Sequence, residues 1–152
     1  MIIFFDGNRE HLAVMRYLIR SFLPGSLAVG FANVWAMIAW MRAHPRVAAV
    51  ISLGYAMWPG EQDIDRLRGG YPGSALDIVD YLSGCQPFAH VILHTENQRA
   101  MAEMAVMLNL SGWDCSAVTP GNGTSWIERA WLPEVERRLH EQEQVPSSAP
   151  FH

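Results

Sequence analysis

Val47-Ala48-Ala49-Val50-Ile51-Ser52-Leu53 is the most continuously apolar run in the first half of this 152-residue chain, and Gly54-Tyr55 follows it directly. A run with one hydroxyl and no charge offers neither face to water, so it reads as a central strand covered on both sides. Outward from it the same unit recurs. Ile2 to Phe5 is an apolar run closed by Asp6-Gly7, and Ser26 to Gly30, Val91 to Leu93 and Trp113 to Val118 are three more. Amphipathic segments separate them. Asn8 caps a helix with Leu12, Met15, Leu18, Ile19 and Phe22 at helical spacing, ended by Pro24-Gly25. Asn33 caps one carrying Val34, Met37, Ile38 and Met41, and His44-Pro45 ends it. Ser74 starts one with Ile78, Val79 and Leu82 inward, and Asn97 caps one with Met101, Met104, Ala105 and Leu108. Ser125 and Glu128 have the spacing of a capping box for a last helix, in which Pro133 marks a kink or a fresh start.

Strands alternating with helices in this way predict an α/β domain: a three-layer, doubly wound, five-stranded parallel sheet in the order 2-1-3-4-5. Its ligand site lies at the carboxyl ends of the strands, where this chain places Asp6, Gly7, Gly54, Tyr55, His94, Thr95 and Thr119. The length suits a single domain over residues 1–143, with a flexible C-terminal tail over 144–152 that carries two prolines and two serines. A net charge of −4 without a basic run gives no footprint for nucleic acid or an anionic membrane, and no uncharged stretch approaches a bilayer-spanning length. A cytoplasmic location is expected. Cys85 and Cys115 match no metal or redox spacing and read as small buried hydrophobes.

The stretch 54–73 is long for a strand-to-helix connection. It carries Glu61, Asp63 and Asp65, then Arg66 and Arg68, a solvated charged loop rather than a calcium hand, and Trp58-Pro59-Gly60 could fold over the rim. Trp35 and Trp40 are five residues apart, as are Trp126 and Trp131, an offset that does not share one α-helical face and leaves surface for self-association.

Asp6 after strand one, Thr95 after strand four and Thr119-Pro120 after strand five resemble a response-regulator receiver domain, a flavodoxin-like fold. More narrowly, Ile51-Ser52-Leu53, Gly73 to Leu82, Val91 to Asn97 and Trp126 to Trp131 resemble the cyclic-phosphate-processing receiver-like proteins, over Met1 to about Leu139. In receivers, paired acids after strand one hold Mg²⁺ and an aspartate after strand three accepts a phosphoryl group. Here Gly7 stands beside Asp6, Gly54 stands at the acceptor position, and Thr119 stands where the phosphoryl-pairing lysine would be. The narrower family has Asp-His-Asp after strand three and a second histidine after strand four, suited to acid/base work. This chain has Gly54-Tyr55-Ala56 in the first place and keeps His94-Thr95 and Asn97 in the second.

The resemblance therefore implies a degenerate pseudo-receiver, a non-catalytic signalling-type module that binds a protein partner or itself, with no cofactor beyond a weak Mg²⁺ site at Asp6. The alternative is a hydrolase of phosphate esters, cyclic phosphates among them, with His94 as base, Asp6 as metal or proton partner and Thr95 as an anion-contacting hydroxyl. A third reading is a phosphate-binding module using the helix starts at Asn8 and Asn97 without turnover. Asp6, Gly54, Tyr55, His94, Thr95, Asn97 and Thr119 are the candidate binding residues, and the question of enzyme or binding module stays open at this point.

Overall fold

The computed structural model describes residues 1–54 and 73–144. The expectations for Tyr55, for the charged and tryptophan-bearing stretch up to residue 72, and for residues 145–152 lie outside the described residues.

Five parallel strands, β1 (Ile2–Phe5), β2 (Ala28–Phe31), β3 (Val50–Gly54), β4 (His90–His94) and β5 (Cys115–Val118), form one sheet in the order β2-β1-β3-β4-β5. The fold is the receiver-like, flavodoxin-like α/β architecture. Helices α1 (Arg9–Phe22), α2 (Val34–Ala43), α3 (Ala75–Ser83) and α4 (Gln98–Leu110) alternate with the strands, and a π-helical segment (Ile127–Trp131) leads into α5 (Leu132–Gln144).

Strand limits differ from the sequence pattern by a few residues, because pairing decides them. Val47 to Ala49 are apolar but precede the ladder, which begins where Ala49 N–H donates to the Met1 carbonyl and Val50 stands opposite Ile2. Trp113 likewise lies ahead of β5, its indole N–H donating to the Leu82 carbonyl. Gln144 belongs to α5 rather than to the tail.

Side chains alternate across the sheet and build two cores. Ile3, Phe5, Ile51, Leu53, Val91 and Leu93 face α2, α3 and α4, whereas Ile2, Phe4, Val50, Ile92 and Val118 face α1 and α5. Leu12, Met15, Leu18 and Ile19 of α1 are buried as their spacing predicts, but Phe22 is exposed. Full burial of such a side chain stabilises by about 1.5–3 kcal/mol, so these two faces hold the domain together. The caps at Asn8, Asn33 and Asn97 form as expected, and Ser74 makes a reciprocal capping box with Asp77. Cys85 and Cys115 are free thiols, half-buried rather than fully buried.

The start of the last helix departs from expectation. Ser125 already lies inside its first turn, so no Ser125–Glu128 capping box forms; Ile127 N–H bonds the Thr124 carbonyl instead. Leu132 N–H then reaches back five residues to the Ile127 carbonyl. A turn closed at i+5 brings residues five apart to one side. Trp126 and Trp131 are therefore both buried on the same core, against the divergence that α-helical spacing predicts. Pro133, with no amide to donate, sits where the π turn gives way to α5. Trp35 and Trp40 do diverge: Trp35 is exposed, while Trp40 packs near Phe31 and stacks on His44.

At the β2 border, Leu27 and Phe31 turn their carbonyls to β1, so the carbonyl of Gly30 between them faces outward. Arg16 of α1 donates its guanidinium to that carbonyl at 3.0 Å. Among the described residues, no helix is long and apolar enough to cross a membrane.

Candidate functional site

The registers Leu53 opposite Phe5 and Gly54 opposite His94 bring the carboxyl ends of β1, β3 and β4 level. Asp6, Gly54, His94, Thr95 and Asn97 thereby line one cleft of about 850 Å³, which His11 and Trp126 complete. Thr119 is exposed and stands outside this lining.

Asp6 is the centre. Its Oδ1 accepts the Asn8 amide at 2.7 Å, and its Oδ2 lies 3.2 Å from His94 Nε2 and 3.1 Å from His11 Nδ1. Burial pushes its pKa up, but the hydrogen bond and charge of His94, the Asn8 amide and the charge of His11 outweigh that and hold it below the ordinary 3.8. An ionised carboxylate only accepts, so both imidazoles donate to it.

That direction propagates inward. With Nε2–H committed to Asp6, His94 Nδ1 faces the Ser52 hydroxyl 3.0 Å away, and in the neutral tautomer it accepts that hydroxyl. Ser52 Oγ in turn accepts the indole N–H of Trp131 at 2.8 Å. Period-two alternation puts Ser52 and His94 on the α1/α5 face, and the π turn lowers Trp131 onto Ser52. Every member of this chain of bonds is satisfied.

The two imidazoles consequently differ in what they can do. The His94 side chain is 1% exposed and both its nitrogens are taken, so it positions Asp6 rather than meeting a ligand. The His11 side chain is 22% exposed and lines the cleft; its Nδ1 is on Asp6, and its Nε2 has no partner among the described residues. Trp126 presents its ring edge-on to His11 at 5.3 Å and lies tilted against His94 at 5.7 Å. Sequence reading missed His11, Ser52, Trp126 and Trp131 as parts of the site. One signal was available: His11 is the third residue after the Asn8 cap, in the turn that must start beside the end of β1.

Gly54 has a role opposite to the one its missing side chain suggests. A Cβ there would lie 2.6 Å from His94 Nε2 and 2.9 Å from Asp6 Oδ2. The imidazole and carboxylate fill the volume that an acceptor aspartate would occupy.

The remaining polar groups are turned inward. Asn8 Oδ1 accepts the Glu10 and His11 amides, Asn97 Oδ1 accepts the Ala100 amide, and Thr95 Oγ1 accepts the Asn97 amide. The helix starts expected to hold an anion thus direct several amides to the protein's own oxygens. Asp6, Glu10 and Glu96 outnumber Arg9 along the cleft. No group of three His, Cys, Asp or Glu side chains among the described residues could hold a metal ion, and a cation at Asp6 would have to displace three donors.

No family model matches the chain, and no curated protein matches it. The role of the cleft rests on its own geometry.

The depressed pKa of Asp6 has a consequence for stability. A carboxylate titrating lower when folded stabilises above its unfolded value and loses that contribution as pH falls through the folded one. Urea midpoints of the wild type should therefore fall as pH is lowered beneath about 4, the unfolded carboxyl range. Asp6→Asn should lack its share of that fall, while the similarly depressed Glu134 contributes equally to both proteins. Parallel acid slopes would show that Asp6 is unpaired.

Proposed function

We propose that this chain is a receiver-like module that cannot accept a phosphoryl group and works by binding a protein partner or a second copy of itself. The observation that carries this reading is the filled acceptor volume: Gly54 supplies no carboxylate, and His94 with Asp6 takes the space beside it. A site whose buried polar side-chain atoms are all hydrogen-bonded within the described chain favours a permanent scaffold over a reactive centre. The resemblance to receivers, and to the cyclic-phosphate-processing branch, is on this reading a likeness of shape rather than of chemistry. Mg²⁺ with beryllofluoride is expected to leave the melting temperature unchanged; a rise of several degrees would overturn the reading.

His11 favours a second reading, hydrolysis of a phosphate ester. The acid/base pair that lacked a second histidine in the sequence has one here, and Asp6 fixes its tautomer so that Nε2 carries the lone pair. His11, rather than His94, is then the base that takes a proton from water. The acidic cleft disfavours an anionic substrate, which places this reading second. If it holds, 2′,3′-cyclic nucleotides are turned over and His11→Ala lowers the rate by roughly 10²–10⁴-fold. No turnover by the wild type eliminates it.

A further inference from the structure

At the opposite end of the sheet, between the C-terminal ends of α2 and α3, lies a hollow of about 430 Å³. We infer that it binds a carboxylate carried on an apolar group. Met41, Pro45 and Phe88 supply apolar wall, with Met41 buried and Phe88 held edge-on to the buried Trp113 at 5.2 Å. A rigid wall of this kind accepts a flat hydrocarbon without first having to order itself.

Arg42 and Arg46 stand at the same hollow. Arg99 pairs with Glu103, and Arg137 and Arg138 with Glu134 and Glu141; Arg42 and Arg46, like Arg9, Arg16, Arg20 and Arg129, have no carboxylate within 4.0 Å among the described residues, and of these only Arg42 and Arg46 stand together at the hollow. Two guanidiniums without a carboxylate partner among the described residues, beside one apolar wall on a chain of net charge −4, form a local site for an anion. The Arg42 guanidinium carbon lies over the Tyr81 ring, 5.4 Å from its centre, a cation–π contact that holds the cation at the hollow without supplying a carboxylate.

Backbone geometry adds to this. Arg46 has φ 61°, the left-handed region that favours glycine. Glycine would hold the turn with less strain, but it would remove the cation.

Isothermal calorimetry with 2-naphthoate and its uncharged analogue 2-naphthamide tests the proposal. Naphthoate should bind with a sub-millimolar Kd, and the amide at least tenfold more weakly. Arg42→Gln with Arg46→Gln, both exposed positions, should weaken naphthoate at least tenfold, leave the amide unchanged and keep the wild-type melting temperature. Arg46→Gly should raise the melting temperature while weakening naphthoate severalfold. A peptide ending in a free phenylalanine carboxylate, compared with its C-terminal amide, separates the two sources of this chemistry: tight binding of the free-acid peptide assigns a protein C terminus, and naphthoate binding alone assigns a small acid. Equal affinity for naphthoate and naphthamide, or full naphthoate affinity in the double variant, overturns the proposal.

Discussion

Gly54→Asp is expected to lower the stability of the domain by about 3–5 kcal/mol, the cost of leaving the buried Asp6 carboxylate without its His94 partner, and to yield no phosphorylated protein. Restoring the acceptor residue of a receiver would ordinarily be the way to restore its chemistry. Here even the first atom of the new side chain, at 2.6 Å from His94 Nε2, cannot be housed without moving the imidazole off Asp6. The added carboxylate would also stand beside a second buried carboxylate, and like charges at that range oppose ionisation of both. Gly54→Ala separates the two contributions. It carries only the overpacking, about 1–3 kcal/mol. Urea unfolding measures both variants, and mass spectrometry after acetyl phosphate treatment reads the acceptor. A Gly54→Asp protein with the wild-type midpoint, or one that gains a phosphoryl group, would mean that His94 and Asp6 do not occupy that space.

Ser52→Ala should cost about 2–4 kcal/mol, since it strips one partner from each of two buried groups and each orphan costs roughly 1–3 kcal/mol. The fully buried hydroxyl receives the Trp131 indole N–H and shares a hydrogen bond with His94 Nδ1, and alanine makes neither. Losing the inner bond also frees His94 to turn away from Asp6, so the loss extends beyond one contact. Equilibrium unfolding gives the energy, and the indole N–H resonance of Trp131 should move in the variant. A loss under about 0.5 kcal/mol, the scale of an ordinary surface change, would show that the bonds are not made.

The fold was legible because each element announced itself locally. Apolar runs gave the strands, Asn8, Asn33, Ser74 and Asn97 gave the helix starts, and crossover connections in a sheet of this length leave few topologies. The site was legible only in part. Asp6, Gly54, His94, Thr95 and Asn97 could be placed at the rim from strand ends alone, and the structure brings them together. What they do to one another depends on contacts between residues 88 positions apart, such as Asp6 with His94, and no local pattern encodes those. Gly54 accordingly read as a missing group, although it is the gap that lets the pair form. Trp131 was missed for a different reason. The expected α-helical period fails across a π turn, so the residue that seals Ser52 looked like one facing elsewhere.

The guanidinium of Arg16 on the outward carbonyl of Gly30 bears on how copies of the molecule can meet. An open parallel sheet invites strand-by-strand growth into fibres, and a cation bonded across its border acts as a stopper. Arg16→Ala would unplug that flank, so the native guanidinium opposes lengthening of the sheet on this side.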